Sequence, residues 1–324
     1  MIASAKGVHA ISVPTPIEVG PVNVYLLRDE HCLTLVDTGP LADVSEAGLR
    51  SGLRELGLVP ADLDQIVLTH YHCDHTGLLE KLVQESGAKV YAHEQTARLL
   101  RPEGHLSAER LAFFRDLFAK MGMTRAHTDS AVQQILRYGT YMCQGSVDVM
   151  LAEGDSIPGL DGWRVIYTPG HSQEHISLLR EEDGTMILGD HLIQHISSNA
   201  LIEPPDQPGE ERPKSLIVYR EALKKVMDLE WKIGYPGHGV PITEYRALIQ
   251  ERLHSNELRA QALLEHIKQG KRTAAEITFA LFTRHFEQLT LIASETLGHL
   301  DWMVEEGVLA VEENEQGVWE YSLG

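Results

Sequence analysis

The chain predicts an α/β layered fold, on three observations. Strand-like and helix-like segments alternate through roughly the first 100 residues, the rhythm of sheets covered by helices. Several strand-like runs end in glycine-containing loops rich in histidine and aspartate. The last third is mostly helical, which sets a second, smaller unit apart from the first.

Val8 to Val13, Asn23 to Arg28 and Cys32 to Val36 read as successive strands. Val44 to Leu56 has helical spacing, with Asp43 as N-cap and Gly57 as its stop. Ile66 to Thr69 and Lys89 to Ala92 are strands flanking a helix that starts near Thr76. Residues 98 to about 147 break the rhythm with two helical patterns, Ala108 to Lys120 and Ser130 to Tyr141. Strands return at Val147 to Leu151, Trp163 to Tyr167, Ile176 to Arg180 and Met186 to Leu188. The irregular loop Glu203 to Gly209 precedes a helix from Pro213 to Leu229, and Lys232 to Gly234 is a further short strand. A long helix from Thr243 to Lys268 leads to the Gln269-Gly270 break. Two helices (Thr273 to Phe282 and Leu289 to Glu306) and two short strands (Val308 to Val311 and Val318 to Tyr321) follow, a winged-helix-like order. The expected units are therefore residues 1–250, carrying the helical insert, and 251–324.

Charge separates these parts. The insert has seven basic and four acidic residues inside a chain of net charge -19, and its aromatic and methionine side chains (Phe113, Phe114, Phe118, Met121, Met123, Tyr138, Met142) suit either packing or the apolar walls of a lid. One or two of its arginines could then meet a substrate anion. The tail from Lys271 has three basic against ten acidic residues, too few cations for phosphate contacts, so it reads as a packing or dimerisation module. Net charge disfavours nucleic acid as a general partner. Three scattered cysteines, no apolar run of membrane length and no secretory signal give a cytoplasmic expectation.

The most informative segment is His70-Tyr71-His72-Cys73-Asp74-His75, which places four ligand side chains in six residues between a strand and a helix. Extended backbone there points His70, His72 and Asp74 to one side, and His75 turns away as the helix begins. The loop can offer His70 and His72 to one metal and Asp74 and His75 to a neighbour, a nitrogen and oxygen set suited to zinc, iron or manganese. Further ligands stand where later strands end: His171 in Thr168-Pro169-Gly170-His171-Ser172, Asp190 in Leu188-Gly189-Asp190-His191, and His238 in Tyr235-Pro236-Gly237-His238-Gly239. At each, a glycine is expected to let the backbone turn sharply. His93, His175 and His191 read as supporting residues, His191 with the option of facing substrate. Cys73 reads as a spacer pointing away from the metals, and His254, His266 and His285 as surface or packed helix residues.

Together with Val36-Asp37-Thr38-Gly39, these motifs resemble the metallo-β-lactamase superfamily over the first ~240 residues. The resemblance implies a four-layer αββα sandwich with two divalent metal ions, zinc first and iron or manganese as alternatives, at one edge. It implies His70, His72 and His171 on the first ion, Asp74, His75 and His238 on the second, Asp190 bridging, and Asp37 orienting the ligand loop. Asp190 resembles the branch of thioesterases, lactonases, glyoxalase II and nucleases. The tail resembles the group often called β-lactamase-like protein 2, some members of which cleave single-stranded RNA; the insert and the acidic tail depart from those members. The expected activity is hydrolysis of a small-molecule thioester, lactone or related ester by a hydroxide shared between the ions, with Asp74 assisting proton transfer. Phosphodiester hydrolysis and a metal-binding interaction protein without turnover are the alternatives; a second copy of the chain is the candidate protein partner.

Overall fold

The computed structural model describes residues 5–29, 32–102, 104–207, 209–284 and 288–324; Glu103, Pro208 and His285 lie outside them. One sheet runs β1 (Val8–Val13), β2 (Val22–Arg28), β3 (Leu33–Val36), β4 (Gln65–Val67), β5 (Lys89–His93) and β6 (Val149–Leu151) in spatial order. Its first two pairings are antiparallel and its last three parallel. The second sheet holds β7 (Ser156–Ile157), β8 (Leu160–Tyr167), β9 (Ile176–Arg180), β10 (Thr185–Gly189) and β11 (Ile233–Pro236), in the order β11-β10-β9-β8-β7.

The period of two in a strand decides which core each residue joins. Tyr25, Leu27, Val36 and Val67 face inward and meet Trp163, Val165, Leu178 and Ile187 of the second sheet. Their neighbours Val24, Leu26, Leu35 and Ile66 face outward, against Leu49 and Leu53 of α1 (Asp43–Glu55). Beyond α2 (Cys73–Thr76), Leu79 and Leu82 of α3 (Leu79–Ser86) join the same outer core. On the far side Ile166, Leu179, Met186 and Leu188 are covered by α7 (Ser215–Asp228) and α8 (Tyr245–Lys268). Helix, sheet, sheet and helix thus form four layers.

Between β5 and β6 the chain leaves the sandwich as α4 (Glu94–Leu99), α5 (Ala108–Lys120) and α6 (Arg125–Gly139). After α8 it forms α9 (Ala274–Leu281), α10 (Leu289–Glu305) and the antiparallel hairpin of β12 (Leu309–Glu313) and β13 (Trp319–Leu323). Insert and tail share one core: Phe114, Leu117, Phe118 and Met121 pack with Leu263, Ile277, Leu297 and Leu300. The aromatics of the insert therefore serve packing and, as shown below, also wall a cavity. No helix among the described residues is long and apolar enough to cross a membrane.

Two expectations need correction. Asp43 is the first helical residue rather than the N-cap, because the extended residue is Ala42; Asp43 instead places its charge in the first turn, where the helix dipole favours it. The helical turn after β4 begins at Cys73, not near Thr76, so Asp74 leaves the extended line of His70 and His72 and shares a turn with His75.

Candidate metal centre

Strand directions bring the ligand loops to one edge. β3 and β4 are parallel; β8, β10 and β11 also share a direction, since β8 and β10 are each antiparallel to β9 and β10 is parallel to β11. Asp37 follows β3, the His70 loop follows β4, and His171, Asp190 and His238 follow β8, β10 and β11. Backbone bonds pin the loops together, with Gly237 N donating to Gly189 O at 2.7 Å and Ile176 N to Thr69 O at 2.9 Å.

All seven predicted ligands converge. The ligand atoms of His70, His72 and His171 lie within 4.8 Å of one another, as do those of Asp74, His75 and His238, and those of His70, His75 and Asp190. Asp190 faces both sides: Oδ2 is 3.6 Å from His171 Nε2 and 3.5 Å from His238 Nε2, and Oδ1 is 3.5 Å from His75 Nε2. Asp74 Oδ2 stands 3.3 Å from His238 Nε2, and His72 Nδ1 stands 3.0 Å from His171 Nε2. Two nitrogens bound tetrahedrally to one zinc are roughly 3.3 Å apart, so these spacings fit shared cations.

Hydrogen bonds on the outer side fix which atom each ring turns inward. His75 Nδ1 meets Asp37 Oδ2 at 2.8 Å, His171 Nδ1 the Asn199 carbonyl at 2.9 Å, and His238 Nδ1 the Pro21 carbonyl at 2.8 Å. Those acceptors take the Nδ1 proton and leave Nε2 as a lone pair. His70 works through a relay: Nδ1 donates to Thr69 Oγ1, which donates to Asp37 Oδ2, while Thr69 N donates to Asp37 Oδ1. Asp37 thereby orients one ring from each ligand triad. It holds φ 63°, a left-handed conformation that aspartate tolerates better than most residues.

Most of the inward atoms have no hydrogen-bond partner. Nε2 of His70, His75 and His238 and Oδ1 of Asp190 are buried and unpaired, whereas buried polar groups are ordinarily hydrogen-bonded. Burial holds His70, His72 and His171 below the ordinary imidazole value, hence neutral, as ligands must be. Burial opposes charge on His238 too, but the Asp190 and Asp74 carboxylates outweigh it and raise that ring to about 10, so a cation is favoured between these groups and a bound metal would take the place of the Nε2 proton. Burial likewise opposes ionisation of Asp190, which His238 and His75 overcome, so its carboxyl stays well below the usual range. The donor set therefore fits two cations, with Asp190 the only predicted ligand that faces both triads.

The supporting residues resolve individually. His175 Nε2 accepts from Asp190 N at 3.0 Å and so holds the backbone of the bridging position. His93 accepts from Gln95 N, capping α4, and stacks on Tyr167. His191 is fully buried and does not line the cavity, so it does not face that space as the sequence allowed, and burial pushes its ring down to about 3. Cys73 contributes to the cavity wall without joining a ligand group.

The glycines differ in their purpose. Gly170 and Gly189 have positive φ (125° and 52°), as a sharp turn requires. Gly237 does not; a Cβ there would lie 2.1 Å from Asp190 Oδ1 and 2.8 Å from His75 Cε1. Its function is room for the ligands, which the turn reading did not anticipate.

A buried acidic pair beside the loop was not visible in the sequence either. Glu174 Oε1 accepts Tyr71 N at 2.9 Å, and Glu203 Oε2 accepts Gln173 N at 2.8 Å. Arg110 of α5 reaches the Tyr71 hydroxyl at 2.7 Å and Glu203 Oε1 at 3.5 Å. Burial, then the Glu203 carboxylate, push the Glu174 carboxyl up to about 8. The unfolded chain loses that proton near 4.5, so between these values the folded state holds the extra proton and stability falls as pH rises. Glu174→Gln keeps an oxygen for Tyr71 N and removes this penalty. The variant is expected to melt higher than the parent at pH 8, by on the order of 1–3 kcal/mol, with the gap shrinking toward pH 5. Equal melting curves at pH 8 would contradict it.

Residues 17–238 match the Metallo-beta-lactamase superfamily, and residues 260–323 match the Metallo-beta-lactamase-like, C-terminal domain. The chain belongs to the metallo-β-lactamase superfamily and is a metallo-hydrolase of that group. The "Probable metallo-hydrolase YqjP" of Bacillus subtilis is 35% identical over 318 residues, 98% of this chain and 96% of that protein. The metallo-beta-lactamase family protein TTHA1429 from Thermus thermophilus superposes with a TM-score of 0.81 at 28% identity, covering 99% of each chain. An Aspergillus fumigatus protein named "Atrochrysone carboxyl ACP thioesterase" is 24% identical over 266 residues, 81% of this chain and 66% of that protein.

Proposed function

We propose that the protein hydrolyses an acyl thioester, lactone or related ester of a small molecule. One observation carries this: two ligand triads meet at Asp190 on the wall of a cavity that is mostly apolar elsewhere. His70, His72 and His171 would hold one divalent ion, and Asp74, His75 and His238 the other. Bound there, two such ions supply a water acidified from about 15.7 toward 7 and polarise the scissile carbonyl. The chain's own contribution is geometric and electrostatic. The Asp37 and Thr69 relay keeps the rings aimed, and Gly237 leaves space for them. Asp74 lines the cavity, which places its carboxylate to relay a proton to the leaving sulfur or oxygen; burial opposes its charge, but His75 and His238 keep the carboxyl below the ordinary range and hence ionised. The thioesterase name among the relatives supports the same bond class.

The basic insert could serve a phosphodiester substrate, but most of its cations already have carboxylate neighbours. Arg98, Arg110, Lys120, Arg125 and Arg137 each face a carboxylate, those of Asp206, Glu203, Asp116, Asp129 and Glu18. The test is metal analysis of protein loaded with zinc, iron(II) or manganese, coupled to a panel of acyl thioesters, lactones and a bis-aryl phosphodiester. Two ions per chain with turnover of acyl substrates is the expected result. Full loading with no acyl turnover would overturn the proposal, and turnover of the phosphodiester alone would replace it.

A further inference from the structure

The cavity at the ligand edge is about 530 Å³, within the size range of small-molecule sites. Asp74, His171 and Asp190 stand on its wall at one end. Phe118 and Ile202 also line it, and both belong to the core shared by insert and tail, so the cavity runs from the ligands toward that core. Ile135 of α6 and Leu291 of α10, both only half-buried, complete the apolar reach.

Several polar groups in these walls are already satisfied, although Ser198 Oγ is buried without a hydrogen-bond partner. Ser294 Oγ accepts Ile202 N at 3.1 Å and donates to the Thr290 carbonyl at 2.8 Å, while Thr290 Oγ1 donates to Gln134 Oε1 at 2.8 Å. Glu18 is held by Arg137 at 2.8 Å and by the Tyr138 hydroxyl at 3.1 Å. Arg110 is tied to Tyr71 and Glu203 as described above, and its guanidinium lies 5.3 Å from the centre of the Tyr71 ring. A ligand in this reach gains by covering apolar surface, and a charged or strongly polar one would lose its water for little return. The net charge of -19 adds a long-range penalty for an anionic ligand.

We infer that this cavity is an acyl-chain pocket: it takes an uncharged, extended aliphatic acyl group with the scissile carbonyl at the ligand end, and the tail, through Leu291, sets the chain length accepted. The inference rests on the hydrolase reading for what happens at the carbonyl, but not for what fills the pocket.

The test uses the full-length, metal-loaded protein and N-acetylcysteamine thioesters from acetyl through butyryl and octanoyl to lauroyl. Because the acyl chain leaves water progressively, kcat/KM should rise about three- to fourfold per added methylene until the pocket is full, then level or fall. Leu291→Trp should move the optimum to shorter chains, and Leu291→Ala should move it to longer ones. In parallel, calorimetry with the amide analogue of the octanoyl substrate reads binding without turnover. It should bind at least tenfold more weakly to Leu291→Trp than to the parent. A flat chain-length profile with acetyl turnover intact would overturn the pocket and leave the hydrolase reading standing. Tight, Leu291-dependent binding of the amide without turnover of any thioester would uphold the pocket and sink the thioester reading. An optimum that ignores both substitutions would show that the tail does not set length.

Discussion

Asp190→Asn is expected to lower kcat/KM for an acyl substrate by about 10³ and to cut the metal content from two ions per chain to one or fewer. The side chain is isosteric, so the backbone bond from Asp190 N to His175 should survive and the fold with it. What changes is charge. Oδ2 now lies against His171 and His238, and Oδ1 against His75; an amide puts hydrogens or a neutral oxygen where the carboxylate neutralises cations. On the proposed assignment, loss of that neutralisation would weaken both ions at once, and several kcal/mol of transition-state stabilisation would go with them. Parallel measurements of bound metal, kcat/KM and melting temperature read the three consequences separately. Normal turnover with two ions bound would refute the assignment of Asp190 as the shared ligand.

Gly237→Ala is expected to be almost as damaging, although glycine contributes no ligand atom. The added methyl group would lie 2.1 Å from Asp190 Oδ1, far inside contact distance, and either the β11 loop or the aspartate must move. His238 follows directly on that loop, and Asn23 N donates to the Gly237 carbonyl at 2.6 Å, so the loop has little freedom to retreat. Displacing a catalytic group by about 1 Å costs ~10²-fold, which sets the expected loss in kcat/KM. The variant should keep its circular dichroism spectrum and bind metal with altered stoichiometry. Parent-like activity would show that the crowding at this position is relieved without cost.

The convergence of the candidate ligands was legible because each stands in a short loop just past a strand, where alternation of apolar residues stops and glycine punctuates the chain. Asp37 was visible for the same reason. The supports behind them were less so. Thr69 reads as the last residue of a strand, and nothing local marks its hydroxyl as a relay between His70 and Asp37. Glu174 and Glu203 stand 29 positions apart in the chain, and their meeting with Arg110 depends on how the insert folds back. The same holds for the pocket. Phe114 and Leu297 each carry a local signal for packing, but periodicity within a helix cannot name its partner. Asp74 shows the limit at closest range: its membership of the site followed from spacing, and its place in a helical turn did not.

The single core formed by insert and tail has an evolutionary consequence. A segment attached by a flexible linker can be traded among relatives as a cassette, but here the C-terminal helices and a mid-chain excursion are two halves of one wall. Exchanging one half alone leaves Phe114 and Phe118 against unmatched side chains, so a swap of either segment is expected to cost stability unless the other changes with it.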